Sequence, residues 1–208
     1  MVAAHDTSPE QIRRRAALGG IAVSVAIGAA FLSNVDRAVM SGVVALRHGW
    51  ATAFFKGIYV LGDEAVAGPV VALALVGLAR GRRWRDALGL AIATGGVLVW
   101  VDLVLKPLFD RHRPGELIVR TAGTAFPSGH VAGNLVLYLF LAALVAEHAP
   151  AAARLSHRAA WLWVLLQGLC AVYLGAHFPT DVVAGVGVGL LWLSVMQAWR
   201  DRRGASRA

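Results

Sequence analysis

The sequence predicts an all-α membrane protein with six transmembrane helices, and three observations support this prediction. Hydrophobic residues make up 58% of the 208 residues and charged residues 15%, whereas soluble domains carry about 25% charged residues. Apolar runs long enough to cross a bilayer recur along the chain. The basic residues gather between these runs. We therefore expect a cytoplasmic segment (1–15), one membrane domain (16–199) and a basic cytoplasmic tail (200–208).

The first expected span, residues 16–33, follows three consecutive arginines. A basic flank before an apolar run is also typical of a signal peptide. This run is long for the apolar part of a signal peptide and lacks a strong cleavage site, so we favour a retained span. Residues 34–59 carry apolar residues at helical spacing, which predicts a short interfacial helix with Trp50 and Tyr59 as anchors at the membrane surface.

Five further runs complete the six spans: residues 60–79, 87–105, 130–146, 159–175 and 182–199. Asp63-Glu64, near the start of the second run, is interpreted as an interfacial turn rather than a site. Residues 107–126 are too polar to span a membrane.

The distribution of basic residues predicts the orientation. Of the 20 basic residues, thirteen fall on the side of the two termini. The other side holds seven: Arg37, Arg47, Lys56, Lys106, Arg111, Arg113 and Arg120. Because cytoplasmic segments are enriched in Lys and Arg, both termini are expected in the cytoplasm. The net charge of +8 then reflects topology and a site on the outer face, and nucleic-acid binding is not expected.

Three polar clusters are expected on the outer face, where ionisable groups next to membrane spans indicate function. The first runs from Lys106 to Arg113, and these two end residues suit a phosphate, the lysine as a point charge and the arginine as a two-pronged donor. Contact with lipid headgroups is the alternative. Asp102 lies one turn before Lys106, so the two side chains are expected to form an ion pair. His112 is a weaker candidate for substrate contact.

The second cluster, Pro127-Ser128-Gly129-His130, stands at the start of an apolar helix. Proline suits a first helical turn, glycine permits close approach of a ligand, and the amides and dipole of the helix start favour an anion. Ser128 adds a hydroxyl donor, and His130 could deliver a proton. The alternative is an ordinary helix cap with a surface histidine.

The third cluster runs from His177 to Asp181, and its proline is expected to begin the last span. Asp181 would then lie in the first helical turn, within reach of His177. A carboxylate that accepts the Nδ1 proton of a histidine leaves Nε2 as a nucleophile or base. An isolated His–Asp pair is often structural, but two histidines, two cations and a helix start on one face indicate a phosphate site.

The pattern K-x6-RP, PSGH and H-x3-D resembles the type 2 phosphatidic acid phosphatase superfamily of membrane lipid phosphatases, over roughly residues 60–195. The resemblance implies an all-helical six-span fold and hydrolysis of a lipid phosphate without metal or cofactor. It further implies that His177 is the nucleophile, Asp181 its orienting partner and His130 the general acid. The phosphate ligands implied are Lys106, Arg113, Ser128 and the Gly129 amide.

The third motif departs from this pattern at two positions. The third motif of the family begins Ser-Arg, and the matching positions are Cys170 and Ala171. Loss of a donor to the transition state can reduce the rate by about 10²–10³. Arg111 or Arg120 could substitute, the chain could be an engineered variant, or its activity could be weak or altered. Cys170, the only cysteine, is expected to be a small buried residue without a catalytic role.

The sequence thus predicts a phosphatase of the bacterial inner membrane acting on a lipid phosphate or diphosphate presented outside. Substrates of the type of undecaprenyl diphosphate, phosphatidate, phosphatidylglycerol phosphate or a lipid A phosphate would fit. A non-catalytic lipid-phosphate binder or flipping protein, and a phosphotransferase, remain alternatives. A transporter is disfavoured because the ionisable residues cluster at the ends of the spans.

Overall fold

The structure, a computed structural model, describes residues 14, 16, 18–20 and 34–205, with side chains as far as Arg200. Every regular element in this part of the chain is helical, which confirms the all-α prediction. The helices are α1 (Asn34–Ala45), α2 (Gly49–Leu61), α3 (Glu64–Arg80), α4 (Trp84–Val99), α5 (Lys106–Phe109), α6 (Gly129–His148), α7 (Ala153–Tyr173) and α8 (Pro179–Ala205). A π-helical segment, Trp100–Leu105, joins α4 to α5.

Four stretches of the described chain are long and apolar enough to cross a membrane: Gly49–Arg80, Trp84–Phe109, Gly129–His148 and Pro179–Arg200. They contain the second, third, fourth and sixth predicted spans. The first predicted span lies mostly outside the described residues. Most of the fifth, residues 159–173, falls within α7, which is not among the four stretches, so the six-span count stays a prediction.

Helix α6 lies at the centre of the fold because it is apolar on nearly every side. It packs against α4, α7 and α8. The core residues around it include Leu90, Val97 and Val101 of α4, Leu135, Val136 and Phe140 of α6, Val164 of α7, and Val188, Leu193 and Met196 of α8. Helices α3 and α7 instead leave large leucines exposed, among them Leu73, Leu162 and Leu169. Apolar residues outside and inside together are typical of a helix bundle in lipid.

The start of α8 brings the second and third clusters together. The helix begins at Pro179, as predicted, and the Ser128 amide donates to the carbonyl of Asp181 at 3.0 Å. One turn further, a Cβ on Gly185 would lie 2.6 Å from the Ser128 carbonyl oxygen. Because only glycine fits this approach, α8 can pack directly on the turn before α6.

The region predicted to contain an interfacial helix forms α1 and α2. Helix α1 leaves Val35 and Val39 exposed and buries Met40 and, unexpectedly, Asp36. Trp50 is exposed, but Tyr59 is 5% exposed and stacks on the ring of His130. The prediction that Tyr59 anchors the chain at the membrane surface is therefore wrong, because the α2 C-terminus turns inward onto α6.

Candidate active site

All three polar clusters contribute to one cavity of about 850 Å³. Its polar end is lined by Asp102, Lys106, Arg113, Arg120, Gly129, His130 and His177, and its apolar end, between α3, α4 and α6, by Ala67, Val71, Leu98 and Leu137. The acidic turn after α2 also reaches the cavity through Asp63 and Glu64. Sequence segments that are distant along the chain therefore meet at one site, as expected.

His177 is buried, and a backbone carbonyl sets its tautomer. Its Nδ1 lies 2.8 Å from the carbonyl oxygen of Ala125. Since a carbonyl can only accept, Nδ1 carries the proton and Nε2 keeps its lone pair. Burial lowers the pKa of His177 below its ordinary value, although the nearby Asp181 carboxylate opposes this shift. Burial thus favours the neutral ring, whose Nε2 has a lone pair available.

Asp181 lies beside His177 but does not accept its proton. The distance from His177 Nδ1 to Asp181 Oδ2 is 3.7 Å, too long for a hydrogen bond. Oδ2 instead accepts from the amide of Phe178 at 2.8 Å, and Oδ1 pairs with Arg111 at 2.5 Å. The prediction that Asp181 orients His177 through a direct hydrogen bond is therefore wrong. Asp181 fixes the backbone next to His177, and the Ala125 carbonyl fixes the ring.

Arg111 joins two buried carboxylates behind His177. Its second terminal nitrogen lies 2.6 Å from Asp36 Oδ2, and Asp36 is 1% exposed. Asp36 also accepts from the amide and the hydroxyl of Thr180. Arg111 does not line the cavity. Its suggested role as a substitute phosphate ligand is thus not supported by its position, because its charge is neutralised within the fold.

Arg113 places a cation against Nε2 of His177. Its guanidinium donates to the carbonyls of Ala122, Gly123 and Ala176 at 2.6–3.1 Å, and Nη1 lies 3.3 Å from His177 Nε2. Burial lowers the pKa of Arg113 from its ordinary value, yet an arginine stays charged at neutral pH. Carbonyls orient the group without neutralising it, so its charge remains for a ligand.

Lys106 forms the predicted ion pair with Asp102, at 2.5 Å. A Cβ on Gly129 would lie 3.6 Å from Lys106 Nζ, so the lysine stands beside the start of α6. The ion pair is confirmed, whereas a role of either residue in phosphate binding stays a prediction.

The surroundings of Ser128 and Pro127 differ from the prediction. Ser128 is fully buried, does not line the cavity, and caps α6 by accepting from the Val131 amide at 3.3 Å. Pro127 precedes this cap instead of occupying the first helical turn, and its peptide bond with Phe126 is cis. The helix cap is thus present at Ser128, whereas its role as a phosphate ligand stays a prediction. His112 is exposed outside the cavity.

His130 is packed between groups that sequence reasoning missed. Its ring stacks on Tyr59 with centroids 4.1 Å apart and planes 9° apart. Its Nε2 lies 2.8 Å from Oε1 of Gln167, a fully buried residue of α7. The only feature of the sequence that could have indicated Gln167 as a partner of His130 was the presence of a glutamine inside an apolar run. The alternative of a surface histidine is excluded, because the ring has two specific partners.

At the position of the missing arginine, Ala171 is fully buried in a small apolar cluster with Tyr59, Cys170, Leu174 and Ala176. Cys170 is buried, as predicted.

Arg120 is exposed, lines the cavity, and makes no hydrogen bond or ion pair with described residues. Of the two suggested substitute cations, Arg120 is therefore the one available to a ligand.

Within the described part of the chain, no three His, Cys, Asp or Glu side chains are grouped as metal ligands. Independence of metal and cofactor stays a prediction.

Comparison with known proteins identifies relatives that cover most of the chain. The sequence model of the PAP2 superfamily matches residues 86–205. Phosphatidylglycerophosphatase B of Bacillus subtilis is 27% identical over 86% of this chain and 90% of the relative. Lipid A 4'-phosphatase of Bacteroides thetaiotaomicron is 29% identical over 76% and 74% of the two chains.

Solved structures share the fold. A transmembrane PAP2-type phosphatidylglycerolphosphate phosphatase from Bacillus subtilis superposes with a TM-score of 0.82 and 25% identity, covering 90% of this chain and 96% of the other. Aquifex aeolicus LpxE superposes with a TM-score of 0.61 and 24% identity over 77% and 93% of the two chains.

Proposed function

The chain belongs to the PAP2 superfamily, and we propose that it hydrolyses a membrane lipid phosphate through a phosphohistidine on His177. The observation that carries this proposal is the geometry of that ring. Nδ1 donates to the Ala125 carbonyl, and the lone pair of Nε2 lies 3.3 Å from the Arg113 guanidinium in the cavity. A nucleophile beside a fixed cation suits attack on a phosphate, whose charge the cation stabilises.

The reaction would proceed in two steps. His177 Nε2 attacks phosphorus, the bond to the lipid oxygen breaks, and His130 donates the proton that this oxygen takes. A water molecule then attacks phosphorus, the P–N bond breaks, and His130 accepts the proton of the water. Lys106, Arg113 and the Gly129 amide would stabilise charge on the phosphate oxygens. Ser128 supports this arrangement as the cap of α6.

The cavity supports a lipid as substrate, because it joins a cationic end to an apolar end between α3, α4 and α6. We propose that the headgroup binds among the cations and that the hydrocarbon chain follows the apolar wall. In the proposed six-span topology the cavity faces away from the cytoplasm. We propose phosphatidylglycerol phosphate and lipid A phosphates as the first candidates to test, because relatives carry those names, beside phosphatidate and undecaprenyl diphosphate.

The test is release of inorganic phosphate from these four lipids by the purified protein, with and without EDTA. We expect one lipid to be hydrolysed, EDTA to have no effect, and His177→Ala to lower the rate by at least about 10³-fold, since it removes the nucleophile. His148→Ala is the matched control, because His148 lies at the opposite end of α6 from His130. Equal activity of His177→Ala and the parent protein would refute the mechanism.

A second candidate, a lipid-phosphate binder with little turnover, is favoured by the buried alanine at position 171. It would be supported if the parent protein binds a lipid phosphate but releases no inorganic phosphate from it. Ala171→Arg then decides whether the missing cation is the cause, although an arginine at this fully packed position is expected to lower stability. Activity that requires an added acceptor lipid would instead indicate a phosphotransferase.

A further inference from the structure

Gln167 has an amide orientation that determines which nitrogen of His130 is protonated. Its Nε2 lies 2.8 Å from the carbonyl oxygen of Ile58, which can only accept a hydrogen bond. The amino end of the amide must therefore face Ile58, and Oε1 must face His130. Because Oε1 also only accepts, the hydrogen on this 2.8 Å contact belongs to His130 Nε2. The other ring nitrogen, Nδ1, makes no hydrogen bond to a described residue.

The surroundings of this amide are built closely around it. A Cβ on Gly62, at the end of α2, would lie 2.5–2.7 Å from the amide atoms of Gln167. Tyr59, from the same turn of the chain, covers one face of the His130 ring. The titratable groups that act on this ring are Tyr59, Asp63 and His177. A buried amide with both ends bonded is stable only in one orientation. Reversing it would turn its oxygen towards the Ile58 carbonyl oxygen and its amino group towards the N–H of His130.

We propose that Gln167 is a positioning residue for proton transfer, which rests on the proposed function of His130 as acid and base. By occupying Nε2, it leaves Nδ1 as the nitrogen that gives its proton to the leaving lipid oxygen and later takes a proton from water. The acceptor is neutral, so the ring can be charged in one step and neutral in the next without a permanent ion pair at Nε2.

The test combines nitrogen NMR of ¹⁵N-histidine-labelled protein with kinetics, using Gln167→Met. His130→Ala identifies the His130 signals by their disappearance. In the parent protein at a pH where the ring is neutral, we expect Nε2 to be protonated and Nδ1 unprotonated. In Gln167→Met we expect this signature to be lost and kcat to fall at least roughly tenfold, with little change in KM, because part of the general acid–base contribution is lost.

Trp163→Phe is the matched control. Trp163 lies one turn before Gln167 on α7 and donates to Asn134 rather than to the ring, so its loss removes a neighbouring buried hydrogen bond. We expect it to leave the His130 signature and kcat unchanged. Gly62→Ala is a second variant, which displaces the Gln167 amide without deleting it. If Gln167→Met fails to fold, Gly62→Ala still tests the proposal, and we expect it to show the same loss of signature and the same fall in kcat.

Two results would overturn the proposal. One is a parent protein in which Nδ1 carries the proton of the neutral ring. The other is a folded Gln167→Met protein with an unchanged signature and kcat. If the parent hydrolyses no lipid, the proposed function fails, but loss of the signature in Gln167→Met still supports the contact that orients the ring.

Discussion

The two histidines of the cavity lie in environments of opposite character. Charged groups surround His177: Arg113 faces its Nε2, and Arg111 links Asp181 to Asp36 behind it. The direct contacts of the His130 ring are neutral groups, an amide and a phenol ring. Both rings are extensively covered by protein, so the difference does not arise from burial alone.

This difference matches the separate tasks proposed for the two rings. A nucleophile should stay neutral and in one tautomer while charge develops on the phosphate beside it, which a carbonyl and a fixed cation achieve. A group that alternates between acid and base should not be tied to a permanent counter-charge. Three measurements test this contrast.

The largest effect is expected from breaking the charged network. Arg111→Met would leave Asp36 and Asp181 buried without their shared cation, which costs about 3–5 kcal/mol of folding free energy. We expect a large fall in the thermal unfolding temperature in detergent and loss of phosphate release. Arg37→Met is the control, because Arg37 is exposed and bonded to the Asn34 side chain. Unchanged stability of Arg111→Met would mean that the network is not needed.

A smaller effect is expected at Arg120, which makes no ion pair with the described residues. Arg120→Gln removes an exposed guanidinium that lines the cavity, and we expect KM for the lipid to rise roughly two- to fivefold with little change in kcat. The increase should shrink at high salt, which screens exposed charges. Lys56→Gln, at an exposed lysine outside the cavity, provides the comparison. A large loss of kcat would instead show that Arg120 contacts the transition state.

The smallest effect concerns the pH dependence of stability. Burial lowers the pKa of His177, so the unfolded chain binds its proton at a higher pH than the folded protein does. The contribution of this residue is complete above the ordinary pKa of about 6.5 and is lost as the pH falls below it. We expect the unfolding temperature of His177→Gln to fall less steeply than that of the parent between about pH 7 and 5. Equal slopes would contradict a lowered pKa.

Local features of the site could be predicted from the sequence because they depend on spacing within one segment. The ion pair of Asp102 and Lys106, the start of α8 at Pro179 and the burial of Cys170 are of this kind. Helix geometry alone places residues four apart on the same face. Likewise, the apolar runs were sufficient to predict helices, because hydropathy and length define a possible span.

Contacts between distant segments could not be predicted in the same way. Gln167 and Ile58 are 109 residues apart, and Asp36 and Thr180 are 144 apart. Nothing in the local pattern of Asp36 indicates a buried partner, and Tyr59 looked like a surface anchor. The expected bond between His177 and Asp181 failed for a related reason, since the Ala125 carbonyl, 52 residues away, occupies Nδ1.

The helical character of this protein, its family motifs and the residue types proposed to bind a phosphate could be read from the sequence, because they follow from composition and from spacing along one segment. The folded structure was needed to distinguish free from neutralised cations and to assign the proton of each histidine to one nitrogen. A hydrogen bond of 2.8 Å forms only where two segments approach each other closely, and that approach results from the packing of the whole helix bundle.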